Sequence, residues 1–104
     1  MTLDSFENIK TFINSHEICF LYFNKSNIKK ESYVNQFSNL KHLEIEYPEI
    51  EIGLILDKPD IANKFNVFSN PFTIMYIEST DVFREGIFTS FDEIKRIITR
   101  FKTS

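Results

Sequence analysis

Asn70-Pro71 constrains this chain more than any other pair of residues. The proline follows the short segment Phe65-Asn66-Val67-Phe68-Ser69 and opens the apolar run Phe72-Thr73-Ile74-Met75-Tyr76-Ile77. A proline has no N–H for a sheet ladder, so it belongs at the start of a strand or on an edge. It is also the residue before which a cis peptide costs little. A polar turn at Glu78-Ser79-Thr80-Asp81 follows the run, then an expected strand over residues 82–88. The connection is too short for a crossover, so these two strands are antiparallel. The chain closes with a capping box at Ser90-Phe91-Asp92-Glu93 and a helix presenting Phe91, Ile94, Ile97, Ile98 and Phe101 on one side.

The first half alternates helix and strand. Asp4 is placed to cap a first helix, with Glu7 three residues later completing a capping box. Phe6, Ile9, Phe12 and Ile13 recur at helical spacing. Ile18-Cys19-Phe20-Leu21-Tyr22-Phe23 is unbroken by any polar residue and reads as a strand buried on both faces. Tyr33, Val34, Phe37, Leu40 and Leu43 mark a second helix over residues 29–47, which Pro48 ends. Residues 50–56 read as a second buried strand, interrupted by Gly53, and Asp57-Lys58-Pro59-Asp60 opens a short helix. The order is therefore α-β-α-β-α-β-β-α. It implies an α/β fold with a mixed four-stranded sheet and helices on both faces, in a single domain over residues 1–104.

Composition narrows the function classes. With 42% hydrophobic and 26% charged residues, the chain of 104 residues can build one core. A net charge of -3 gives no reason to expect nucleic acid or an acidic membrane as partner. Met1-Thr2-Leu3-Asp4 lacks the basic start and apolar stretch of a signal peptide, and no apolar run approaches the about 20 residues of a membrane span. A cytoplasmic location is expected.

Three stretches together carry a resemblance. Leu21-Tyr22-Phe23, Tyr47-Pro48-Glu49-Ile50-Glu51-Ile52 and Phe65-Asn66-Val67-Phe68-Ser69-Asn70-Pro71 follow one another as in the thioredoxin superfamily. Over essentially its whole length the chain resembles the small single-domain thioredoxin-like proteins of bacteria. The resemblance implies a thioredoxin-like fold, a cis peptide at Asn70-Pro71, and a peptide groove between that loop and the start of the second helix. The family's paired cysteines would fall at Ile28 and Glu31, to within one or two residues. No residue from Asn24 to Tyr33 is cysteine. The acid often found one residue before the family's phenylalanine is here Tyr22. Disulfide exchange needs an attacking thiolate and a resolving thiol, and a chain with one cysteine has no such pair.

What remains points to binding. Cys19 lies inside the apolar run, where a free cysteine packs as a small hydrophobe. His16 and His42 have no partners at zinc spacing, and Glu44, Glu46, Glu49 and Glu51 suit a solvated edge. No catalytic residue, metal site or cofactor is expected. The resemblance makes Ile28, Phe68, Asn70 and Pro71 the groove candidates. Ile28 is either covered by a partner or folded inward. Lys25, Lys29 and Lys30 form an anion patch at a helix start, or else a solvated basic surface. The expected function is a redox-inactive module that binds a protein or peptide, with an acidic partner favoured by the lysines. The alternatives are an enzyme of a non-dithiol class using the same groove, or a structural subunit or homodimer.

Overall fold

The structure is a computed structural model that describes residues 1–25, 40–86 and 91–103. Its elements are α1 (Phe6–Ser15), β1 (Ile18–Asn24), a helical segment over residues 40–46 (α2), β2 (Ile50–Leu56), α3 (Pro59–Lys64), β3 (Phe72–Ile77), β4 (Thr80–Glu85) and α4 (Phe91–Thr103). The sheet order is β2-β1-β3-β4. β1 pairs parallel with β2, from Ile18↔Ile50 to Asn24↔Leu56, and antiparallel with β3. β3 and β4 form an antiparallel hairpin with a register shift at Met75/Tyr76.

The unbroken apolar run of β1 follows from its place, since a central strand with helices over both faces buries every side chain. Cys19, Leu21 and Phe23 face Ile9, Phe12 and Ile13 of α1, with Ile61 and Ala62 of α3 packed against the same cluster. Ile18, Phe20 and Tyr22 face Leu40 and Leu43 of α2 and Ile94 and Ile98 of α4. In the acidic stretch Glu46 and Glu49 are exposed while Glu44 and Glu51 are half-buried, and three of the four meet lysines: Glu44 with Lys41, Glu46 with Lys95, and Glu49 with Lys102. The last two tie α4 to the corner between α2 and β2. The hydrogen bond from Lys102, more than any other contact, holds the Glu49 carboxyl below its ordinary value.

Several local expectations need correction. The cap of α1 is Ser5, whose hydroxyl accepts from the Asn8 N–H at 3.1 Å, and Asp4 instead accepts from the Asn8 side-chain amide. The short Ser5 side chain caps the free N–H three residues on, and this sets the helix start one residue later. β2 stands at the end of the sheet order and is not buried throughout; Glu51, Leu54 and Leu56 are half-buried. The hairpin turn is only Glu78-Ser79, both left-handed at φ 49° and 66°, so β4 begins at Thr80. Positive φ at both central residues is the turn twist that suits a two-residue hairpin.

The sequence reading also missed the N-terminus. Thr2 bridges in parallel to Leu54, with Leu3 N–H donating to Leu54 O at 2.8 Å and Leu54 N–H to Met1 O at 2.7 Å. This covers part of the outer edge of β2. The second-helix residues Tyr33, Val34 and Phe37, the strand end at Ile87 and Phe88, and the cap Ser90 lie outside the described residues.

Candidate functional site: a cleft beside the Asn70-Pro71 loop

Parallel pairing brings the C-terminal ends of β1 and β2 out at the same end of the sheet, and the chain leaves both strands there. A cleft of about 390 Å³ opens at that end. Its apolar lining comes from Phe23 and Ile55 at the strand ends, Pro59 and Ala62 of α3, and Val67. Its polar lining comes from Asn24 and Lys25 after β1, Asp57 and Lys58 after β2, Asn63 of α3, and Ser69 and Asn70. Phe68 completes the wall and is 79% exposed, the most exposed large hydrophobic side chain among the described residues.

Local backbone chemistry shapes this wall. Phe65 ends α3, and its N–H donates to Ala62 O at 3.0 Å. Asn66 then turns left-handed at φ 59°, a conformation asparagine tolerates better than most residues. Val67 drops into the core at 2% exposure while its N–H donates to Ala62 O at 2.9 Å. That inward anchor leaves Phe68, Ser69 and Asn70 outside. The Asn70–Pro71 peptide is cis, and Pro71 is buried beneath the loop. On the opposite wall the Asn24 side-chain amide donates to the Tyr22 hydroxyl at 3.1 Å, and its oxygen accepts from the Lys25 N–H at 2.8 Å. The site where an acid was expected in the family therefore holds a buried phenol, with Asn24 bridging it to the cleft rim.

Of the residues singled out from sequence, Phe68, Asn70 and Lys25 line one cleft, with Pro71 under it. Ile28, Lys29 and Lys30 lie outside the described residues, as does Glu31. Lys58, Asp57 and Asn63 were missed. The signal was available in principle, since two parallel strands must deliver both following loops to one end of the sheet.

The thiol is elsewhere. Cys19 is fully buried, four residues before Phe23 and so about 13 Å from it along the strand. Burial pushes its pKa from 9.0 up to about 12, which keeps it protonated and weakly nucleophilic. His16 is engaged locally, with Nδ1 2.8 Å from Phe12 O and its ring against the Phe12 ring. Among the described residues no group of three or more His, Cys, Asp or Glu side chains is gathered to hold a metal, and no helix is long and apolar enough to cross a membrane.

No family model matches the chain. It is 27% identical over 100 residues to the thioredoxin-like protein YdfQ of Bacillus subtilis, covering 94% of this chain and 88% of that protein. Its fold is similar to oxidized mitochondrial thioredoxin 3 from Saccharomyces cerevisiae, with a TM-score of 0.78, 14% identity and coverage of 96% and 93% of the two chains. It is also similar to Fasciola hepatica thioredoxin, with a TM-score of 0.76, 18% identity and coverage of 95% and 96%. The fold is that of thioredoxins, and the single cysteine excludes their dithiol pair.

Proposed function

We propose that this thioredoxin-like chain is a redox-inactive, cytoplasmic binding module that takes an extended, acidic peptide segment in the cleft beside Asn70-Pro71. The observation that carries the reading is Phe68, a phenylalanine 79% exposed on the rim of an apolar-floored cleft. An aromatic ring held in water is costly, and aromatic anchors dominate peptide and protein interfaces. The exposed Asn70 beside it offers main-chain groups to an extended ligand in the manner of strand addition. Lys25 and Lys58 are both exposed on the rim and favour an acidic ligand, chiefly by speeding encounter.

The test is a random decapeptide display selection with the purified protein, followed by fluorescence anisotropy on the enriched peptides. The reading expects acidic peptides whose affinity falls about tenfold in Phe68→Ser and weakens with added salt. No enrichment over a denatured control, or equal affinity in Phe68→Ser, overturns it.

A further inference from the structure

The loop that carries Phe68 and Asn70 is braced from β4. The Arg84 guanidinium donates through Nη2 to Phe65 O at 2.5 Å and to Asn66 O at 3.2 Å, and through Nη1 to Asp81 Oδ2 at 2.8 Å. Its central carbon also lies 5.4 Å from the centre of the Phe72 ring. Phe65 and Asn66 enter the loop and Phe72 leaves it, so one side chain touches both of its ends. A second contact comes from the end of the same strand. A Cβ built on Gly86 would lie 3.7 Å from Ser69 Oγ and 3.9 Å from Phe72 Cδ1, which places that backbone against the middle of the loop.

We propose that Arg84 is the positioning residue of the cleft, holding the 66–70 wall in the shape that presents Phe68 and the Asn70 backbone. Its consequence for binding rests on the peptide-binding reading above. The chemistry suits arginine specifically. The planar fork has several donors in fixed directions and spans two adjacent carbonyls and a carboxylate at once. Both carbonyls belong to a turn whose own bonds, Asn66 N–H to Asn63 O and Val67 N–H to Ala62 O, close it from the other side. Asn66 sits left-handed, which most residues avoid, and Arg84 Nη2 is the outside donor to its carbonyl. The Arg84–Asp81 pair is about a third exposed on each side chain, so as an ion pair it adds little to global stability. A loop held this way is ordered before any ligand arrives, which lowers the ordering cost of binding.

Amide hydrogen exchange by NMR on Arg84→Gln and Arg84→Lys tests the brace. Arg96→Gln serves as control, because Arg96 makes an arginine–carboxylate pair of the same i,i+3 spacing with Glu93 on α4, with more exposed side chains and away from the loop. In both Arg84 variants the Asn66 and Val67 amides should exchange at least about tenfold faster, while Phe20 and Ile74 in the central strands and all sites in the Arg96→Gln control keep their protection. Affinity for a selected peptide should fall about fivefold in the same two variants. Three results overturn the proposal: unchanged protection at Asn66 and Val67, full rescue by lysine, or equal acceleration at Phe20. A wild-type protein that binds no peptide overturns the peptide-binding reading alone, because the exchange result is independent of any ligand.

Discussion

A Cβ on Gly53 would lie 2.5 Å from Cδ1 of Leu3. The N-terminal segment thus fills the space that any larger residue at this β2 position needs. The Phe12 ring closes the same space, with Cε2 at 3.1 Å and Cζ at 3.3 Å. Leu3 and Phe12 are both buried members of the same core cluster, so neither gives way without disturbing its neighbours.

Gly53→Val should therefore destabilise the protein by about 2–3 kcal/mol in urea denaturation, and Gly53→Ala by less. Adding Leu3→Ala should make the double variant less unstable than the sum of the two single changes, because both act on one contact. Simple additivity would mean that Leu3 does not occupy the space over Gly53.

The start of α1 gives a separate test. Ser5→Ala removes the hydroxyl that accepts from the Asn8 N–H and should cost about 1 kcal/mol. Asp4→Ala removes only an exposed side-chain contact and should cost a few tenths, by the same scale. The reverse order in thermal melts would return the cap to Asp4.

Stability should fall at alkaline pH. Burial pushes Cys19 from 9.0 up to about 12, and burial, followed by the nearby Asp81, pushes Tyr76 from 10.0 up to about 12. The unfolded chain releases these protons first, so above pH 9 the folded state binds more protons than the unfolded one. The stabilisation is complete below pH 9 and is lost as pH rises toward 12. Cys19→Ala should flatten the slope between pH 9 and 10, before Tyr76 contributes, and Tyr76→Phe should flatten the steeper part above pH 10. An unchanged slope in both variants would place the alkaline loss elsewhere. At neutral pH, Cys19 should react with a thiol reagent only after denaturation.

Insulin reduction with dithiothreitol should proceed at the rate of the protein-free blank. The one thiol of the chain is buried in β1, and no second thiol exists to resolve a mixed disulfide. Turnover above the blank that survives Cys19→Ser would refute the redox-inactive reading.

Elements whose burial repeats locally were legible in advance. The six apolar residues from Ile18 to Phe23 announced a strand covered on both faces, and Phe72 to Ile77 coincides with β3. Ile94 and Ile98 lie on the buried side of α4 as their spacing implies. These signals survive in sequence because side-chain direction follows the local period of helix or strand. The sequence also determined, by its single cysteine, that no dithiol chemistry is available.

Three features were decided only by tertiary structure. β2 reads as apolar as a central strand, yet it stands at the end of the sheet order, and Glu51 and Leu54 are half-exposed. The bridge that Met1 to Leu3 make to Leu54 is too short to show a period and exists because the outer edge of β2 offers it partners. The cleft gathers Lys25, Lys58 and Phe68 from separate loops, and its wall is braced by Arg84 from 18 residues beyond Asn66. Periodicity describes one segment at a time. It does not report which loops parallel strands deliver to the same end of a sheet, or which distant carbonyl a guanidinium will reach.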